Sequence, residues 1–305
     1  MRRNRPSSSA LRVAHAVAFL SREPEVAALL PPGLGESTER LLLASGLLRR
    51  AQLRRLDSPF FRRLYYYVDS LGANGQLLFV GMRKRLVADE AAAAIASGCR
   101  QVLVIGGGLD ILALRLAQQH AELTLVEVDH PASQHRKRDA LRQLGQLEQL
   151  GPLPPNLHLV PEDLAAGDLA DALRSTPAWE ATRPTFAVAE AVFMYLDLPA
   201  VERTLRELHD ATGPGSSVLF SYLRRDAKGR LLLGKRPRLA ALALAAGGEP
   251  LRWAAQEGEL EGFLAAAGWR LEVERFDLRE RYLSGDGLAH RPLADVELYA
   301  LARRA

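Results

Sequence analysis

Cysteine is almost absent: the 305 residues contain one, Cys99. A lone thiol excludes an internal disulfide framework and a cysteine-based zinc site, and no metal is expected. It fits a reducing compartment, so a cytoplasmic location is the expectation. No uninterrupted apolar run approaches the ~20 residues of a membrane span, and no membrane partner is expected. Gly-Lys-Ser and Gly-Lys-Thr are both missing, which removes a Walker A phosphate loop. An excess of one charge is also missing: 40 Lys and Arg stand against 36 Asp and Glu, a net +4. The basic residues gather at the N-terminus and between Arg224 and Arg238 without a basic-aromatic groove, so nucleic acid is not an expected partner. The remainder, 48% apolar and 25% charged, is ordinary for a globular chain of one or two domains with a sizeable core.

What is present centres on Gln101 to Asp110. An apolar, β-prone run meets Gly106-Gly107-Gly108, and an amphipathic helical pattern follows to His120. That pattern reads as a buried parallel strand, a tight turn and a helix start, where backbone N–H groups can approach a ligand with no Cβ in the way. Three further apolar strands end in or near acids: Leu123–Val128 before Asp129, Leu157–Val160 before Asp163, and Thr185–Ala189 before Glu190. Ser217–Ser221 is a fifth strand. Trp269–Arg275 and Asp295–Ala302 are the last two, joined by a loop over 276–293, which predicts an antiparallel edge pair. The alternation of strands and helices predicts an α/β, doubly wound, mostly parallel sheet. Residues 1–9 read as a disordered tail and 10–97 as a helical N-terminal cover with breaks at Pro31–Gly33 and Gly72–Gly75. Within the cover, a helix is expected to open at Met82-Arg83-Lys84-Arg85. Residues 98–305 form the α/β domain, with an inserted helical cap at about 223–250. Tyr65, Tyr66 and Tyr67 cannot all share one helix face and are read as packing residues, and His130 and His135 as surface residues.

In an open parallel sheet, ligands bind beyond the carboxyl ends of the strands. The G-x-G-x-x-G dinucleotide fingerprint is matched only as far as Gly106 and Gly108, because Ile111 replaces the third glycine; an NAD-dependent oxidoreductase is therefore the weaker reading. Three carboxylates in the crevice would repel a pyrophosphate. They suit a ligand with hydroxyls and positive charge, and S-adenosyl-L-methionine, with a ribose diol, an ammonium and a sulfonium, is such a ligand.

Residues 82–200 resemble the leucine carboxyl methyltransferase family of class I S-adenosylmethionine-dependent methyltransferases, especially its bacterial branch, which includes polyketide O-methyltransferases. The resemblance rests on Val104-Ile-Gly-Gly-Gly-Leu-Asp110, Glu127-Val-Asp-His-Pro131, Asp163-Leu164, Ala189-Glu-Ala-Val-Phe-Met-Tyr195, Met82-Arg-Lys-Arg85 and Gly268-Trp269. It implies a Rossmann-like fold with a seven-stranded, mostly parallel sheet. It also implies a cofactor site: Arg83 at the methionyl carboxylate, with Arg85 the alternative; Gly106 and Gly108 against the methionyl part; Asp129 on the ribose hydroxyls; Asp163 and Leu164 around the adenine; and Glu190 near the methionyl amine. Tyr195 would be an active-site wall. One departure stands out: Ile111-Leu112 occupy positions where the family commonly has Thr-Arg. The function implied is O-methylation of a carboxylate or acidic hydroxyl on a small molecule or natural-product intermediate. A methyltransferase-like binding protein without catalysis is the alternative.

Overall fold

The computed structural model describes residues 7–146, 153–233, 242, 244–246, 248–285 and 287–305. Seven strands form one sheet: β1 (Gln101–Ile105), β2 (Thr124–Asp129), β3 (Leu157–Pro161), β4 (Thr185–Ala189), β5 (Ser217–Leu223), β6 (Trp269–Val273) and β7 (Glu297–Arg304). Their order is β3-β2-β1-β4-β5-β7-β6. The first five run parallel, and β7 runs antiparallel to both neighbours. The two last strands do stand together at the edge, but with β7 on the inner side.

β1 and β4 are buried along their whole length, as strands covered on both faces must be. Successive side chains point to opposite faces, so the sheet divides the interior in two. Val102, Val104, Phe186 and Val188 face one core. Leu103, Ile105, Ala187 and Ala189 face the other.

The N-terminal cover packs into the first of these cores. It consists of α1 (Ser8–Leu20), α2 (Pro24–Ala27), α3 (Leu34–Ala44), α4 (Arg50–Arg55), α5 (Pro59–Leu71) and α6 (Gln76–Ala96). Next in the chain come α7 (Leu112–Gln119), α8 (Pro131–Gln146), α9 (Leu169–Arg174) and α10 (Leu198–Asp210).

Four local expectations need correction. The tail expected over residues 1–9 lies mostly outside the described residues, and its end is ordered: Ser7 caps α1, its hydroxyl accepting from the Ala10 N–H at 3.0 Å. The helix expected to open at Met82 starts six residues earlier. The chain enters it through Gly75 at φ +95°, and the Asp69 carboxylate accepts from the Gly75 and Leu77 N–H groups. Gly81 is tolerated inside this helix because a Cβ there would crowd Leu20 and Leu30. The loop expected over 276–293 contains a helix, Leu278–Leu283, capped by Asp277; six residues are too few to show a period. The helical cap expected at about 223–250 falls partly on 234–241, 243 and 247, outside the described residues. Residues 224–233 are not helical: Arg224 bridges to Ala255 and Arg225 to Leu231, around a turn in which Asp226 accepts from the Lys228 and Arg230 N–H groups. Such side-chain capture of backbone donors competes with helix formation.

Candidate active site

The glycine turn sits at the carboxyl end of β1, where the sheet order reverses direction between β1 and β4. Each glycine has a local reason. Gly106 is at φ +68°, and a Cβ there would strike the Val192 side chain. A Cβ on Gly107 would lie 2.5 Å from the Glu127 carboxyl carbon. Gly108 is at φ +54°, and its Cβ would come to 3.0 Å from the Ala10 methyl of α1. The turn is therefore wedged between β4's exit, the end of β2 and the N-terminal cover.

Above it lies a cavity of about 260 Å³. Arg83, Gly106, Gly108, Asp129, Asp163, Leu164, Glu190 and Tyr195 all border it. The sequence-derived residues are thus brought together from α6, β1, β2, β4 and the loops after β3 and β4. Arg85 is not among them; it is paired with Asp89 at 2.8 Å along its own helix.

Asp129 is buried. One of its oxygens accepts the Gly108 N–H at 2.5 Å and the other the His130 N–H at 2.6 Å. Burial pushes its carboxyl above the usual aspartate value despite those two bonds. A carboxylate offers about four acceptor positions, so each oxygen keeps one for a ligand. Asp163 is half exposed at the rim, and its Oδ1 accepts from the Ala165 N–H at 3.1 Å.

His130, expected on the surface, also borders the cavity, with its Nε2 3.9 Å from an Asp163 oxygen. Its Nδ1 accepts the Ala132 N–H at 3.2 Å, which leaves the proton of the neutral ring on Nε2.

The side of the cavity around Arg83 differs most from expectation. Arg83 is buried; its Nη1 donates to Glu297 at 2.7 Å, and its Nε lies 3.0 Å from Glu190. Lys84, which sequence reasoning passed over, pairs with Asp110 and lies 2.7 Å from Glu190. Burial would lower the lysine pKa, but Asp110 and Glu190 together raise it, so the ammonium stays charged. Burial likewise pushes Asp110 up, and Lys84 more than reverses that. The result is a closed cluster of two cations and three carboxylates: Arg83, Lys84, Asp110, Glu190 and Glu297. The signal in the sequence was the cationic doublet itself, set in a helix otherwise rich in Leu and Ala. Asp110 has a second task, accepting the N–H of Leu112, the first residue of α7, at 2.6 Å. Ile111 is fully buried and Leu112 borders the cavity, so the two residues that depart from the family pattern serve core and wall.

Beyond Glu190 the backbone is strained. Ala191 adopts φ +55°, a conformation costing a non-glycine residue about 1–3 kcal/mol, and its N–H donates to Ser221 Oγ at 2.7 Å. The kink swings Val192 over Gly106 and carries the chain to Tyr195. The Tyr195 hydroxyl donates to Ser9 Oγ at 3.1 Å, and Ser9 Oγ donates to Glu249 at 2.6 Å. Ser8 Oγ and the Ser9 N–H also donate to Glu249, at 3.0 and 3.1 Å. Helix α1 is thereby fastened across the cavity as a roof. Burial pushes Glu249 up, and the hydrogen bonds from Ser7, Ser9 and Ser8 outweigh it, holding the carboxyl below its ordinary value.

A doubly wound seven-stranded sheet with one reversed strand, and a glycine turn at its switch point, is the Rossmann-like fold of class I methyltransferases. Residues 43–209 match the leucine carboxyl methyltransferase family. That match spans more than half of the chain, which belongs to this family. A Bacillus subtilis protein, YktD, provisionally named an S-adenosyl-L-methionine-dependent methyltransferase, is 28% identical over 174 residues, 56% of this chain and 54% of its own. A Mycobacterium tuberculosis protein with the same provisional name is 31% identical over 183 residues, 58% of this chain and 57% of its own. The chain thus spans about half the length of the curated relatives it matches. Among solved structures, the Burkholderia thailandensis 1,6-didemethyltoxoflavin-N1-methyltransferase with bound S-adenosylhomocysteine is similar at a TM-score of 0.45 and 16% identity, covering 73% of this chain and 78% of that one.

Proposed function

We propose that the chain is an S-adenosyl-L-methionine-dependent methyltransferase that O-methylates a carboxylate or acidic hydroxyl of a small molecule. The observation that carries this reading is the charge balance of the cavity wall. Asp110, Asp129, Glu162, Asp163, Glu190, Asp197 and Glu249 line it against Arg83, Lys84 and Arg252, and Asp129 stands beside the glycine turn. A cationic ligand carrying a diol fits that donor set, and a pyrophosphate does not.

When bound, the cofactor supplies an electrophilic methyl group on its sulfonium. The rest is done by the chain. Gly106 and Gly108 bring backbone against the methionyl portion, Asp129 accepts from the ribose hydroxyls, and Asp163 and Leu164 frame the adenine. Glu190 faces the ammonium, while Arg83 and Lys84 fix Glu190 and are the cations available to a methionyl carboxylate. Tyr195 walls the acceptor side.

Among the described residues, two candidate bases on the cavity wall are already engaged. Glu249 already accepts three hydrogen bonds from Ser8 and Ser9 and has a lowered pKa, and the acceptor nitrogen of His130 is occupied by the Ala132 N–H. An acceptor that is ionised at neutral pH needs no such base, which favours a carboxylate or a low-pKa hydroxyl. Arg252 borders the cavity, is exposed, and forms no ion pair among the described residues, so it can attract an anionic acceptor. The volume of about 260 Å³ lies below the roughly 300–1,000 Å³ of typical small-molecule pockets.

Calorimetry with S-adenosylhomocysteine tests the reading. The wild-type chain is expected to bind, and Asp129→Ala to bind at least tenfold more weakly while keeping its circular dichroism spectrum. Absence of wild-type binding overturns the proposal. Binding without methyl transfer to a panel of carboxylic acids and phenols favours the non-catalytic alternative.

A further inference from the structure

Helix α5 is inverted with respect to the protein it covers. None of its thirteen residues is buried. Phe60, Leu64, Tyr67, Val68 and Leu71 are 69%, 43%, 61%, 58% and 57% exposed. These are five of the eight large apolar side chains that the described residues expose. At about 100° per residue they fall within roughly a third of the helix circumference, one continuous stripe pointing away from the core.

The inner face is the mixed one. Tyr65 stacks on His15 and packs on Phe19, and Tyr66 bonds Glu23 and accepts from Arg291 at 2.9 Å. Arg62 pairs with Glu23 at 3.3 Å. A surface helix normally shows the opposite arrangement, with its apolar face inward.

The flanks of the stripe are basic. Residues 49–71 contain six arginines and two aspartates. Arg55 lies 5.9 Å from the centre of the Phe61 ring, which ties α4 to the side of α5. Arg50, Arg54 and Arg63 are exposed and form no ion pair among the described residues. The two acids are already engaged: Asp57 by Arg22 at 2.6 Å, and Asp69 by the backbone at the start of α6.

We propose that α4 and α5 form a docking surface for an anionic lipid bilayer. The apolar stripe enters the boundary between headgroups and acyl chains, and the arginines meet lipid phosphates. A helix lying in the plane of the interface uses this pairing of apolar and basic faces. It needs no spanning segment, and no described helix is long and apolar enough to cross a membrane. The absence of an apolar run therefore excluded a membrane span, but not a membrane partner. Charge complementarity selects lipid over a second copy of the chain, because pairing two stripes brings two sets of arginines together with no free acid between them. The proposal does not depend on the reaction catalysed.

Sedimentation with vesicles tests it, using the full chain. Equimolar phosphatidylcholine and phosphatidylglycerol vesicles are expected to pellet the protein, and pure phosphatidylcholine vesicles to pellet far less. Arg54→Gln with Arg63→Gln is expected to weaken binding on the order of tenfold or more, from the typical contribution of a basic residue near an anionic surface. Leu64→Ser with Val68→Ser is expected to abolish it, while both doubles keep the wild-type melting temperature. No binding by the wild type, equal binding to both vesicle types, or variants that bind like the wild type would each overturn the proposal. So would light scattering that shows a wild-type dimer which the Leu64→Ser, Val68→Ser variant dissolves, because the stripe is then covered by a second copy.

Discussion

Lys84 sits between two carboxylates in a place water scarcely reaches. Its ammonium pairs with Asp110, whose other oxygen accepts the Leu112 N–H at the start of α7, and with Glu190, which follows β4. Removing one partner of a buried ionic cluster leaves the others uncompensated, a loss of about 3–5 kcal/mol. Lys84→Met is therefore expected to lower the unfolding free energy by about that amount in chemical denaturation. Arg83→Met, which leaves buried Glu297 without its ion-pair partner among the described residues, should cost a comparable amount; equal stability of Lys84→Met and wild type would refute this account of the cluster. At this scale the sequence was legible where a residue's role follows from strand position. Asp129 and Glu190 close buried apolar strands, and a carboxylate there must face something polar. Lys84 and Glu297 were not legible, because their places in the cluster depend on the rotational phase of α6 and on which strand stands beside β5.

Among the elements, α1 buries Ala14 and Ala16 to Leu20 in the core, and its first turn is fastened separately. Glu249 accepts from Ser8, Ser9 and the Ser9 backbone, and the Tyr195 hydroxyl joins through Ser9. The Glu249 carboxyl is depressed in the closed form, so its contribution to closure is complete above the ordinary glutamate value of ~4.3 and is lost as pH falls below it. Hydrogen exchange over residues 8–20, compared with unstructured peptide rates, should show protection that declines through that acid range. Glu249→Gln should be less protected at neutral pH and nearly insensitive to acid; an unchanged pH dependence in the variant would assign the fastening elsewhere. Elements were legible in proportion to their length and burial. The parallel strands β1, β2, β4 and β5 read directly as apolar runs, because both their faces are covered, whereas β3 is a half-buried edge strand. The helix Leu278–Leu283 and the bridges at 224–231 did not, since short pieces are set by capping side chains rather than by period.

For the whole molecule, the doubly wound order of the first five strands followed from alternation, but the position of β7 between β5 and β6 did not, because antiparallel strands can pair on either side. That position has a temporal consequence. Arg83 and Glu297 are 214 residues apart, so the charged cluster closes only when β7 pairs with β5, and β6 can join the sheet only through β7. Contacts of such separation form late, after the loop-closure cost is met. In refolding from denaturant, far-ultraviolet ellipticity should therefore recover before the capacity to bind S-adenosylhomocysteine, which returns in the slowest phase. Binding that recovers in step with ellipticity would show that the pocket matures without its last strand. A nascent chain with every motif from Gly106 to Glu190 already made would, on this view, still be unable to hold its cofactor until residue 297 had left the ribosome and found its slot.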